Sequence, residues 1–171
     1  VDRSRLFIPD PLPSAMIEES QPNTPFWQGI EEFNRGEFYA CHDTIEALWV
    51  VANEPERTFY QGVLQVAVAL HHLSNLNWRG AAILLGEGLS RLNKYDDHYS
   101  GIDVNQLIAQ VADVLHFIQV MGPDRVETAA IALGLRTGLL PLESGNLESF
   151  AQPSLPRILP AAQACSGEET P

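Results

Sequence analysis

Residues 33–49 read Phe-Asn-Arg-Gly-Glu-Phe-Tyr-Ala-Cys-His-Asp-Thr-Ile-Glu-Ala-Leu-Trp, and the reading of this stretch decides the rest of the chain. Asn34-Arg35-Gly36 marks a helix end, because Gly takes the left-handed backbone that closes many helices. A new helix then starts near Glu37, whose carboxylate suits a helix N-terminus. At about 100° per residue, with His42 at zero, Phe38 falls at about −40°, Ile45 at about −60° and Trp49 at about −20°. Glu46 falls at about +40° and Tyr39 at about +60°. His42 and Glu46 therefore stand one turn apart inside an apolar arc. Two ionisable groups on a face that should be buried need partners, since an unpaired buried charge is costly.

Upstream, Thr24-Pro25 is a helix start: a hydroxyl cap followed by Pro at the first helical position. Phe26, Trp27, Ile30 and Phe33 give that first helix its apolar face. Residues 1–24 precede it as a proline-rich extended arm that Phe7, Ile8, Leu12 and Met16 could pin to the domain. Downstream, the second helix runs to about Ala52, and Asn53-Glu54-Pro55 breaks it.

The third helix runs from about Glu56 to Leu76 and is apolar nearly all round, the mark of a helix in the middle of a bundle. One strip differs. With Gln65 at zero, Gln61 lies at about −40°, His72 at about −20°, Ala69 at about +40° and Gly62 at about +60°. The small residues let another helix come close, and Gln61, Gln65 and His72 offer it hydrogen-bonding groups. His71, about 120° from Gln65, belongs to another face.

A fourth helix is expected from about Trp78 to Tyr95. A polar loop follows, and then a fifth helix capped by Asp103 and ending at Met121, before Gly122-Pro123. Residues 124–133 suit one more short helix, and beyond Leu140 the composition is that of a tail without its own core. No strand and no internal repeat is read. The expected fold is an all-α, single-domain bundle of about five helices. It divides into an arm (1–24), the bundle (25–121), a short helical extension (122–140) and an irregular tail (141–171).

Net charge of −12 over 171 residues argues against nucleic acid or an anionic membrane surface as a partner. The longest apolar run, around Gly62–Leu70, is short of membrane-spanning length. Cys41 and Cys165 form neither a metal-type spacing nor a disulfide framework, which suits a reducing cytoplasm. No phosphate-binding Gly loop or nucleophile elbow is present. His98 with Asp96, and His116 with Asp113, read as solvated surface groups.

Short loops make the second, third and fourth helices antiparallel neighbours. If the His42/Glu46 face meets the Gln61/Gln65/His72 strip, five polar side chains share one buried pocket, with Trp49 at its mouth. Three readings of such a pocket stay open. It is a structural hydrogen-bond network; or a zinc-like divalent-ion site held by His42, Glu46 and His72 with water as nucleophile; or a metal-free acid/base or small-ligand pocket in which Glu46 and His42 exchange protons. A non-catalytic scaffold, binding a protein partner or a second copy through exposed apolar surface on the first or fifth helix, is the alternative from another class.

The pattern Phe33-Asn34-x-Gly36-x-Phe38-x-x-x-His42-x-x-x-Glu46-x-x-Trp49, then Gly62-x-x-Gln65-x-Ala67-x-Ala69-x-x-His72, then Asn77-x-x-Gly80-Ala81, resembles the DUF309 family. The match covers about residues 26–95. The resemblance implies a small all-helical fold and places His42, Glu46, Trp49, Gln65, His72 and Asn77 at shared positions. The family has no established function, and the label "predicted metal-dependent hydrolase" sometimes attached to it implies a metal pocket built from its histidines and carboxylates.

Overall fold

The computed structural model describes residues 24–139 and 152–161. All of the expected arm but Thr24, the start and end of the tail, and Cys165 lie outside the described residues. The chain forms α1 (Pro25–Asn34), α2 (Phe38–Val51), α3 (Glu56–Ser74) and α4 (Trp78–Leu92), then a β-hairpin of β1 (His98–Tyr99) and β2 (Ile102–Asp103). α5 (Val104–Met121), a single 3-10 turn (Pro123–Arg125) and α6 (Val126–Ala132) complete it.

The helix ends follow from local chemistry. Thr24 Oγ1 accepts a hydrogen bond from the Trp27 amide at 3.4 Å, and Pro25 occupies the first helical position. Gly36, with φ +80°, turns the chain between α1 and α2. Asn77 Oδ1 caps α4 through the Gly80 amide at 2.9 Å, and Asp103 Oδ1 caps α5 through the Gln106 amide at 2.9 Å.

α3 is the central element, flanked by α2 on one side and α4 on the other. Its Phe59, Val63, Val66, Ala67, Leu70 and Leu73 are fully buried. On the α4 side the backbones come close: a Cβ on Gly88 would sit 2.9 Å from Val66 Cγ2 and 3.1 Å from the Gly62 carbonyl oxygen. α5 packs on α4, where the Trp78 indole donates to the Ile118 carbonyl at 2.7 Å.

Two features depart from the sequence reading. The loop before α5 contains a short hairpin, because Ser100 (φ 50°) and Gly101 (φ 79°) form a turn with both central residues left-handed, the geometry that matches strand twist. Part of the tail is stitched to the bundle although it has almost no regular structure. Asn34 clamps Ile158 at both ends, Nδ2 donating to its carbonyl and Oδ1 accepting from its amide, each at 2.8 Å. The Asp103 amide donates to the Leu159 carbonyl, and the Ala161 amide to the Gly101 carbonyl, both at 2.9 Å. Ile158 is buried in the main core. Ile158 stands 124 positions from Asn34, and the other two contacts also join residues far apart in sequence, so local periodicity carries no trace of them.

Candidate functional site

The candidate site is a cleft between the first turns of α2 and the last turns of α3. The antiparallel hairpin places these ends side by side. Phe38, Tyr39 and His42 of α2 face Val68 and His71 of α3 around an apolar cavity of about 110 Å³. The Tyr39 ring lies 6.1 Å from His42 and 5.8 Å from His71, between centroids. A second, polar cavity of about 330 Å³ shares Phe38 and His71 with the first and adds Asn34, Arg35 and Ser74, with Leu155 of the tail as a far wall. Two shared residues make the cavities lobes of one cleft.

Hydrogen bonds determine what the two imidazoles offer. His42 Nδ1 lies 3.0 Å from Asp43 Oδ1, a carboxylate that only accepts, so Nδ1 carries the proton and Nε2 is left as an acceptor. Asn75 Nδ2 donates to the His71 carbonyl at 2.9 Å, which identifies it as the amide NH₂, and its other proton points to His71 Nε2 at 3.1 Å. The neutral His71 ring therefore carries its proton on Nδ1, which has no acceptor among the described residues.

The sequence expected another set of residues to meet. Gln65, buried, turns to α4, where its Nε2 donates to Glu87 Oε2 at 2.6 Å. Gln61 is half-buried one turn before it in the same strip. His72 also serves the α4 side: Asn77 Oδ1 is committed to the Gly80 amide, so Nδ2 donates to His72 Nδ1 at 3.1 Å. Glu46 is exposed on the outer face of α2. Trp49 lies seven residues beyond His42, about 10 Å along the helix, under the Arg57 guanidinium at 4.9 Å. Its indole N–H is buried without a partner.

The correction is one of rotation. The small, polar strip does admit a close neighbour, as Gly62 and Ala69 promised, but that neighbour is α4. The stripe that meets α2 is the one through Val68 and His71, about 60° to 120° further round α3. His71 is thus the cleft-lining residue that the sequence reading set aside, and its angular distance from Gln65 is the available signal. Tyr39, Phe38, Val68 and Arg35 were missed as well, because apolar and exposed charged residues carry no motif.

A divalent ion does not fit the expected set. Among the described residues no three His, Cys, Asp or Glu side chains come together as a metal-holding group, so His42, Glu46 and His72 do not assemble one. With Nδ1 of His72 accepting from Asn77, its proton sits on Nε2, and neither nitrogen presents a free lone pair.

Other buried polar groups lie away from the cleft. Glu32 accepts from Gln28 at 2.9 Å and leaves Oε2 unpartnered. Nearby Cys41 is buried and free, and burial first, then the Glu32 charge, pushes its thiol up to about 12. A thiol so protonated is inert rather than nucleophilic.

The described residues form a small antiparallel, mainly α-helical bundle with a surface cleft between α2 and α3. Residues 26–84, from α1 into α4, match the family described as "Domain of unknown function (DUF309)". An "Uncharacterized protein" of Aquifex aeolicus (strain VF5) is 26% identical over 96 residues, which is 56% of this chain and 29% of that protein's length. The chain thus spans under a third of that relative. No solved structure matches the chain.

Proposed function

We propose that the chain is a small-ligand-binding helical module and that its site is the two-lobed cleft between α2 and α3. One observation carries this reading: the cleft's walls hold unspent hydrogen-bonding atoms, His42 Nε2 and His71 Nδ1–H, beside an apolar lobe. The two lobes together reach the lower part of the roughly 300–1,000 Å³ typical of small-ligand sites. Of the residues the sequence offered, His42 is kept as a ligand contact. Gln65, His72 and Asn77 are accounted for by structural bonds to and within the α3–α4 pair. Fragment screening by ¹⁵N NMR tests the reading. Hits should cluster on amides of 38–42 and 68–71. Hits confined to other surfaces would overturn it.

A second reading has its own support. Tyr39, Val50 and Val51 of α2 are 64%, 60% and 77% exposed, whereas the large exposed apolar residues among those described include none on α1 or α5. A protein partner or a second copy would therefore use α2, not the helices the sequence favoured. Sedimentation at several concentrations distinguishes a self-associating chain from a monomer, and a Val51→Lys variant should abolish any association. No described helix is long and apolar enough to cross a membrane. With the net charge of −12 disfavouring polyanions and a reduced thiol at Cys41, we place the protein in the cytoplasm, not on nucleic acid. Fractionation of cells expressing the natural gene checks this.

A further inference from the structure

We propose that the cleft binds a small aryl carboxylate, its ring in the apolar lobe and its carboxylate at the seam between the lobes; this rests on the ligand-site reading above. The apolar lobe, at about 110 Å³, approaches the roughly 150 Å³ of a cavity that holds benzene, and it is open on one side. Phe38, Tyr39 and Val68 supply flat and branched apolar walls for a ring.

The seam carries the positive end. His71 lines both lobes, and with Nε2 taken by Asn75 its Nδ1–H is without a partner among the described residues. Arg35 lines the polar lobe. Its Nε donates to the Glu31 carbonyl at 3.3 Å, and its contacts to the Glu31 and Glu37 carboxylates are long, at 3.7 Å each. Those contacts use Nη2 and Nε, so Nη1 is without a partner among the described residues. An imidazole N–H and a guanidinium N–H lining one lobe offer a carboxylate two donors.

His42 lines the apolar lobe alone. His42 Nε2 can only accept while Asp43 holds the Nδ1 proton, so it suits a hydroxyl on the ring. The complement of the whole cleft is a ring with an acidic arm and a hydroxyl.

Titration of the ¹⁵N-labelled full chain with 4-hydroxyphenylacetate, phenylacetate and 4-hydroxyphenylacetamide tests this. The hydroxylated carboxylate should bind best, at least about tenfold tighter than the amide. Arg35→Met should erase the advantage of carboxylate over amide. His42→Phe should erase the advantage of 4-hydroxyphenylacetate over phenylacetate and leave the first advantage standing. If the amide binds in the cleft as tightly as the carboxylate, or the advantage survives Arg35→Met, the ligand class is wrong and the cleft reading stands. If none of the three perturbs the cleft up to millimolar concentration, both fall.

Discussion

The two flanks of α3 are built from the same helix and do opposite things. Toward α4 the surface is small residues and glutamines, and the backbones approach until Gly88 has no room for a methyl group. Toward α2, at the C-terminal end, Val68 and His71 leave a gap lined by rings. The closed flank spends most of its polar groups on structure, Gln65 Nε2 on Glu87 and His72 on the Asn77 cap, while Gln65 Oε1 is buried without a partner. The open flank leaves polar atoms unspent.

The largest effect should come from filling the closed flank. Gly88→Val would press a branched side chain against Val66 and the Gly62 carbonyl, and we expect about 3 kcal/mol lost in urea denaturation. A loss under about 1 kcal/mol would mean that α4 moves away easily and that the two flanks hardly differ. Asn77→Ala removes both the α4 cap and the partner of His72, and should cost about 1 kcal/mol in the same assay.

Alkaline pH probes the buried groups in another way. Burial raises the Cys41 thiol from 9.0 to about 12 and, together with Glu56 or Glu54, raises Tyr60, Tyr95 and Tyr99 above the usual phenol value of 10.0. In each case the unfolded chain releases its proton first. The native state then binds more protons, so stability is fully present below about pH 9 and falls as pH rises from there toward 12. Melting temperature followed from pH 8 to 11 should fall steadily above 9. A flat profile would contradict the burial of these groups. In a Cys165→Ser variant at pH 8, Cys41 should react with a thiol reagent no faster than the protein unfolds.

The smallest effect should be on the open flank. Tyr39→Ala and His42→Ala remove side chains that border a gap, and each should change stability by no more than about 0.5 kcal/mol while altering ligand titrations. If either costs as much as Gly88→Val, the cleft is part of the packed core and the contrast between flanks disappears.

Helix limits were legible because their causes are local. Thr24-Pro25, Gly36, the Pro55 break, the Asn77 region and Asp103 each act within a turn, and the helices start and stop where these residues stand. The hairpin was missed since Ser100-Gly101 is a weak turn signal between runs of only two strand residues. The docking of 152–161 was missed because Asn34 finds Ile158 across 124 positions.

The all-α class, the order of the helices and the face on which each residue stands within its own helix were determined by the sequence itself, through caps, breakers and a 3.6-residue period. Which face of α3 looks at which neighbour was decided only in three dimensions. Periodicity gives angles within one helix and no common zero between two. That zero is set where Gly62 and Gly88 let α3 and α4 close on each other, and this contact turns Gln65 and His72 away from α2 and leaves His71 beside His42.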